Sequence, residues 1–261
     1  MYMKKTILSS NQSELLENLI VKHGQIVTSD QVFTEAKQHW DYRQARNLVT
    51  RLADIGWLIR IKRGLYAISD LSSRGFLTLS PYIVANLLVP NSYVSFETAL
   101  QHYGMFDQLT GKTVSVSLKM YKDVNLAGTE YRFVKTKAEY YFGWQEVSIG
   151  NQIARLATPE KAIIDLVAFH KSRYSIDLVI EKLIEHRSDL IILRLTEYLT
   201  KMPLVTIKIF GLIFDLLGIN SDTLAGFVKP GGTHWMIPGD TKFNARWRLY
   251  YHEDLDKYKT T

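Results

Sequence analysis

Apolar positions in the first seventy residues recur at helical spacing. Leu15, Leu16, Leu19 and Ile20 share one face of a segment over 13–23, and Gly24 stops it. Thr28-Ser-Asp-Gln31 then has the spacing of a capping box: the Thr hydroxyl accepts from the third amide and the Gln reaches back. The helix it opens carries Val32, Phe33, Ala36 and Trp40 on one side. Asp41 caps a third helix with the stripe Ala45, Leu48, Val49, Leu52 and Ile55, ended by Gly56. Two short apolar runs between Trp57 and Ile68 flank Lys62-Arg63-Gly64, which predicts a hairpin with a basic tip.

Further along, helices and strands mix. Pro81–Leu88 reads as a helix, and Ser95–Gly104 as a short one with Ser95 as cap and Glu97 in its first turn. Thr113–Leu118 alternates strictly and predicts a half-buried strand, with further strands over 130–136, 146–149 and 152–156. Thr158 caps a helix that runs to Phe169, with Pro159 in its first position. Ile176, Val179, Ile180, Leu183 and Ile184 form one stripe. Two more apolar helices, over 190–200 and 206–217, complete a small bundle, and Arg246–Tyr251 reads as a final strand. The fold class is therefore α+β. A winged helix-turn-helix over 1–70 precedes an α+β module over 71–169, and a helical region with a final strand and a basic tail follows over 170–261.

Composition narrows the chemistry. The 261 residues include no Cys, which excludes disulfides, thiolate metal sites and a Cys nucleophile. The opening residues lack the apolar core of a secretion signal, and the greasiest stretch, Leu204–Ile219, is interrupted by Lys208 and Asp215. The expectation is a cytoplasmic protein with no membrane partner. A net charge of +6 is modest, and the three segments carry +3, +1 and +2, so position matters more than the total. Two clusters stand out: Arg60, Lys62 and Arg63, with no acid between Gly56 and Ser69, and Lys242, Arg246 and Arg248 after Lys229-Pro-Gly-Gly. Both are candidate phosphate contacts.

The polar face of the third helix carries the sharpest signal. It shows Tyr42, Arg43, Arg46, Asn47, Thr50 and Arg51. Arg and Asn are the side chains that pair bidentately with guanine and adenine edges in a major groove. A capped helix pair of this size, followed by a basic hairpin, is a winged helix-turn-helix: the helix reads bases and the wing contacts backbone. The candidate DNA-binding residues are Tyr42, Arg43, Arg46, Asn47 and Thr50 on the helix, with Arg60, Lys62 and Arg63 on the wing.

Signals for enzyme chemistry are weak by comparison. Gly111-Lys112-Thr113 ends like a phosphate-binding loop, but Phe106 stands where the partner Gly belongs, and a strand follows instead of a helix. There is no Gly-x-Ser-x-Gly elbow and no His-x-x-x-His pair. The only Glu-x-Lys triplet, Glu35-Ala-Lys37, falls inside the second helix, and Glu160 and Asp165 lie five apart on one helix. No catalytic residue, metal site, cofactor or small-molecule substrate is expected.

These pieces, in this order, resemble the AbiEi family of antitoxins and transcriptional regulators of bacterial type IV toxin–antitoxin and abortive-infection systems. The resemblance is carried by Gly56-Trp-Leu-Ile-Arg-Ile-Lys-Arg-Gly-Leu-Tyr66, by Tyr93-Val-Ser-Phe-Glu-Thr-Ala-Leu-Gln-His-Tyr-Gly104, by Ile153–Leu166, and by the tail from Lys229 to Leu249. It implies a winged helix that binds inverted repeats in its own promoter and represses the operon. It also implies a C-terminal region that counteracts a nucleotidyltransferase-like toxin without requiring a stable complex. Glu97, His102, Thr158, Glu160 and Asp165 are then fold-defining caps and turns. The alternative is a DNA-targeted enzyme, a metal-dependent nuclease or a nucleotide-modifying protein, for which the long mixed remainder leaves room.

Overall fold

The computed structural model describes residues 7–69, 76–108 and 111–259, so the expected boundary at 70/71 lies outside the described residues. The chain divides into two compact units, Met1–Pro90 with Asn125–Thr129, and Asn91–Val124 with Glu130–Thr261. The sequence suggested three segments. From residue 91 onward, sheet residues such as Tyr93 and Val116 share one buried cluster with helix residues such as Ile164 and Phe210.

In the first unit the order is α1 (Ser10–His23), β1 (Ile26–Thr28), α2 (Ser29–Ala36), α3 (Tyr42–Asp54), β2 (Leu58–Lys62), β3 (Leu65–Ile68) and α4 (Pro81–Leu88). The strands form an antiparallel sheet in the order β1-β3-β2, which completes a winged helix-turn-helix. Helix α1 starts earlier than expected because Ser9 and Gln12 make a capping box of their own. The box of Thr28 and Gln31 opens α2, and Asp41 caps α3 through the Gln44 amide at 2.8 Å. Each such cap is worth about 1 kcal/mol. Leu15, Leu16 and Leu19 pack with Val32, Ala45, Leu48, Leu52 and Trp57. Ile20, expected on the same face as the three leucines, is 48% exposed, and Trp40 lies beyond the end of α2 in the turn before α3.

From residue 91 onward the chain runs β4 (Ser92–Val94), α5 (Phe96–His102), β5 (Lys112–Ser117), β6 (Val124–Leu126), β7 (Thr129–Lys135), β8 (Trp144–Ile149) and β9 (Gln152–Ala157), all of it in the second unit except Asn125–Thr129. Then come α6 (Pro159–Phe169), α7 (Arg173–Glu185), α8 (Ile192–Leu199), α9 (Leu204–Leu216), the single turn α10 (Asp222–Ala225), β10 (His234–Trp235), β11 (Lys242–Asn244) and β12 (Leu249–Tyr251). Six strands form one mixed sheet in the order β6-β7-β5-β4-β9-β8, with β5/β7 and β4/β9 parallel. Strand β5 is central, so Thr113, Ser115 and Ser117 are buried along with Val116, and the half-buried strand expected there is covered on both faces. Helix α6 packs against α5, α7, α8 and α9 and is buried from Glu160 through Val167. Ile184 is 52% exposed and so leaves the buried stripe of α7.

Two expectations for this unit are corrected. Ser95 does not cap α5: its hydroxyl donates instead to Asp165 Oδ2 at 2.7 Å. The chain leaves β4 through Phe96 in the left-handed region, φ 59°, a conformation that strains a non-glycine residue. The final strand begins only at Leu249, because residues 245–248 form a turn that sends Trp247 into the core and holds Arg248 at φ 49°.

Candidate nucleic-acid interface

Helix α3 has two faces of opposite chemistry. Ala45, Leu48, Val49 and Leu52 are buried, and Arg43, Arg46, Asn47, Thr50 and Arg51 are exposed on the other side. Tyr42, at the first turn, is 64% exposed and meets the ring of Phe33 edge-on at 5.4 Å, so α2 braces it. Gln44 is exposed beside it, and the sequence reading missed this side chain. Its amide type, one residue from Arg43 on a polar face, was the available signal.

The wing is the β2–β3 hairpin. Lys62 faces Leu65, so Arg63 and Gly64 make the turn, and Gly64 takes φ 75°, where a side chain would be strained. The Gly64 carbonyl accepts the Ser29 amide at 3.0 Å, which ties the wing tip to the start of α2. Arg60 and Arg63 are exposed. Lys62 is half-buried, and its ammonium donates to the Leu88 carbonyl at 3.3 Å, capping the C-terminus of α4.

The arginines of α3 and of the wing stand clear of acids. Among the described residues, Arg43, Arg46, Arg51, Arg60 and Arg63 have no carboxylate within 4.0 Å. In the second unit Arg132, Arg155, Arg194 and Arg246 each have one. A face of arginines held without acids keeps its charge for an anionic partner. The C-terminal basic cluster is largely neutralised instead. Lys242 pairs with Asp256, and Arg246 reaches Asp215 at 3.0 Å and Asp222 at 2.8 Å. Its expected role as a set of phosphate contacts gives way to these ion pairs, and only Arg248 stays clear of acids among the described residues.

The polar residues of α6 form a sealed cluster. Lys161 and Asp165 pair with both side chains fully buried, and Asp165 Oδ2 also accepts from Ser95 and, at 3.2 Å, from the Tyr93 hydroxyl. Burial and then the Asp165 charge hold the Tyr93 phenol well above its ordinary pKa. Glu160 points elsewhere, accepting the Ile191 amide at 3.0 Å with Arg194 at 3.6 Å. Glu160 and Asp165 thus serve separate structural contacts. Among the described residues no group of three or more His, Asp or Glu side chains is placed to hold a metal ion, and no helix is long and apolar enough to cross a membrane.

The first unit defines a winged helix-turn-helix, the architecture of many DNA-binding regulators. A family model described as a transcriptional regulator, AbiEi antitoxin, matches residues 14–69, so the resemblance read from the sequence holds over this unit. In fold the chain is similar to the RV2827C protein from Mycobacterium tuberculosis, known from a crystal structure. That similarity has 12% identity and a TM-score of 0.63, and covers 93% of this chain and 92% of that one. No curated protein matches the sequence.

Proposed function

We propose that the protein is the antitoxin and autorepressor of a two-gene toxin–antitoxin operon. Its winged helix binds inverted repeats in its own promoter, with Arg43, Arg46, Asn47 and Thr50 reading base edges and Tyr42, Arg60, Lys62 and Arg63 holding the backbone. The second unit counteracts a nucleotidyltransferase-like toxin, and the protein acts by binding, not by turnover. The observation that carries the DNA part is the acid-free arginine face of α3 opposite its buried stripe. The antitoxin part rests on the family match over residues 14–69.

Fluorescence anisotropy of the full chain on its own upstream DNA, against a scrambled duplex at two salt concentrations, tests the first part. Tight sequence-dependent binding with a negative salt slope is expected. Equal weak binding to both duplexes rejects it. For the second part, the full chain is co-expressed with the product of the adjacent gene. Rescue of growth should survive Arg43→Ala with Arg46→Ala, while repression of the promoter is lost. Loss of rescue along with repression would reject a division of labour between the units.

A further inference from the structure

Basic side chains gather where the C-terminal tail folds back on α9. Lys208 of α9 donates from Nζ to the Gly232 carbonyl at 3.2 Å, and Arg248 donates from Nε to the same carbonyl at 3.4 Å. Lys208 Nζ also meets His234 Nδ1 at 3.0 Å. An ammonium only donates, so His234 accepts at Nδ1 and carries its proton on Nε2. The backbone fixes the pair of tail residues, since the His234 amide donates to the Arg248 carbonyl at 3.1 Å. Lys171, exposed between α6 and α7, lies within electrostatic reach of His234.

No acid offsets these charges. Among the described residues none of Lys171, Lys208 and Arg248 has a carboxylate within 4.0 Å. Lys208 is only 1% exposed, and a cation buried that far is ordinarily paired. The Gly232 carbonyl gives it a partial charge alone, and Arg248 draws on the same oxygen. Burial and then the Arg248 charge accordingly hold the Lys208 pKa below the usual lysine value. The cluster reaches the surface: His234 and Arg248 are half-buried, and residues 231–233 are exposed. A β-carbon built on Gly231 or Gly232 would meet nothing within 4 Å, so the space over this loop is open.

We infer that this cluster is a binding site for a phosphate group, either the free ion or a small phosphate monoester. Arg248, His234 Nε2 and Lys171 supply the donors, and Lys208 supplies charge from within and fixes the tautomer of His234. Several positive charges around one carbonyl suit a compact anion of charge near −2, which a phosphate carries at neutral pH and a carboxylate does not. The diesters of a nucleic acid carry one charge each, spread along a strand, and call for a track of cations instead of a point. A phosphate held here ties the tail to α9 and to the connection between α6 and α7, so it stabilises the folded chain.

The test uses the full chain carrying Arg43→Ala and Arg46→Ala, so that α3 does not contribute. Inorganic phosphate and phenyl phosphate are titrated in by calorimetry, in phosphate-free buffer at constant ionic strength. Saturable binding and a rise in Tm with phosphate concentration are expected. Arg248→Gln should weaken binding about tenfold, the loss of one charge-assisted hydrogen bond. Lys208→Met should weaken it comparably. Lys171→Gln, an exposed change that keeps the fold, should weaken it about threefold. Tighter binding of phenyl phosphate assigns a monoester ligand, and tighter binding of inorganic phosphate the free ion. The inference is overturned if neither compound binds, or if Arg248→Gln and Lys171→Gln both bind like the parent. It is also overturned if oligothymidylate with hydroxyl ends, which has only diesters, displaces phosphate, because the cluster would then be a contact for a nucleic-acid backbone.

Discussion

The indole of Trp247 occupies the space where a side chain would stand on Gly211. Gly211 lies inside α9, and a β-carbon built on it would overlap the six-membered ring of Trp247. One helical turn on, Asp215 Oδ2 accepts the indole N–H at 2.7 Å. The other carboxylate oxygen takes Arg246 at 3.0 Å and the Ser221 hydroxyl at 2.5 Å. Gly211 gives the room and Asp215 the polar anchor, and together they clamp the C-terminal tail onto α9.

Gly211→Ala is therefore expected to destabilise the protein. Replacing Gly by Ala inside a helix ordinarily gains about 0.5–1 kcal/mol. Overpacking a filled core costs about 1–3 kcal/mol, and here the added methyl meets a ring anchored by its own hydrogen bond. The second effect wins. Thermal unfolding should show a clear fall in Tm, and a Tm at or above that of the parent would contradict the packing of Trp247 against α9.

The buried ion pair of α6 makes a second prediction. Removing either charge leaves the other uncompensated in the core, at about 3–5 kcal/mol. Lys161→Met strands Asp165 with only Ser95 and Tyr93 as donors, and Asp165→Asn strands the Lys161 ammonium. Combining Lys161→Met with Asp165→Leu should cost much less than the sum of the single changes, measured by denaturant unfolding. Additive costs would mean that the pair is not coupled.

Much of this architecture was legible in the sequence because local signals decided it. Thr28, Asp41 and Thr158 cap the helices expected of them, and the polar face of α3 is exposed as its periodicity requires. What was missed depends on distant partners. Strands β1, β4 and β6 have three residues each, too short to show a period. Ser95 looked like a cap because a buried carboxylate seventy positions away leaves no mark on the local sequence. Arg246 and Lys242 looked like free cations because Asp215, Asp222 and Asp256 reach them only through the fold.

The pH dependence of stability should carry the mark of His234. Burial, Lys208 and Lys171 together hold its pKa below the ordinary 6.5. The unfolded chain then binds a proton that the folded chain resists, so stability rises with pH through this range. It is fully present above about pH 6.5 and falls as the solution is acidified below that value. His234→Asn, whose amide oxygen can still accept from Lys208, removes the titration. The Tm difference between parent and variant should therefore move in favour of the variant as the pH drops from about 7 to 5. A pH-independent difference would mean that His234 is not held neutral by its neighbours.

The wing residues should separate by what they touch. Arg63 is exposed at the turn and makes no ion pair among the described residues, so its charge is available to a phosphate. Lys62 already gives one donor to the Leu88 carbonyl. On the proposed function, Arg63→Ala weakens binding to operator and scrambled duplex alike and reduces the salt slope by about 0.9. Lys62→Ala should have a smaller effect on affinity and lower Tm slightly, because the last turn of α4 loses its cap. Arg46→Ala behaves differently from both, costing about 1–3 kcal/mol on the operator and much less on the scrambled duplex. The three variants measured on both duplexes over a salt series distinguish base reading from backbone contact. If Arg46→Ala weakens both duplexes equally, α3 is a backbone contact, and the reading of operator sequence must be sought elsewhere in the first unit.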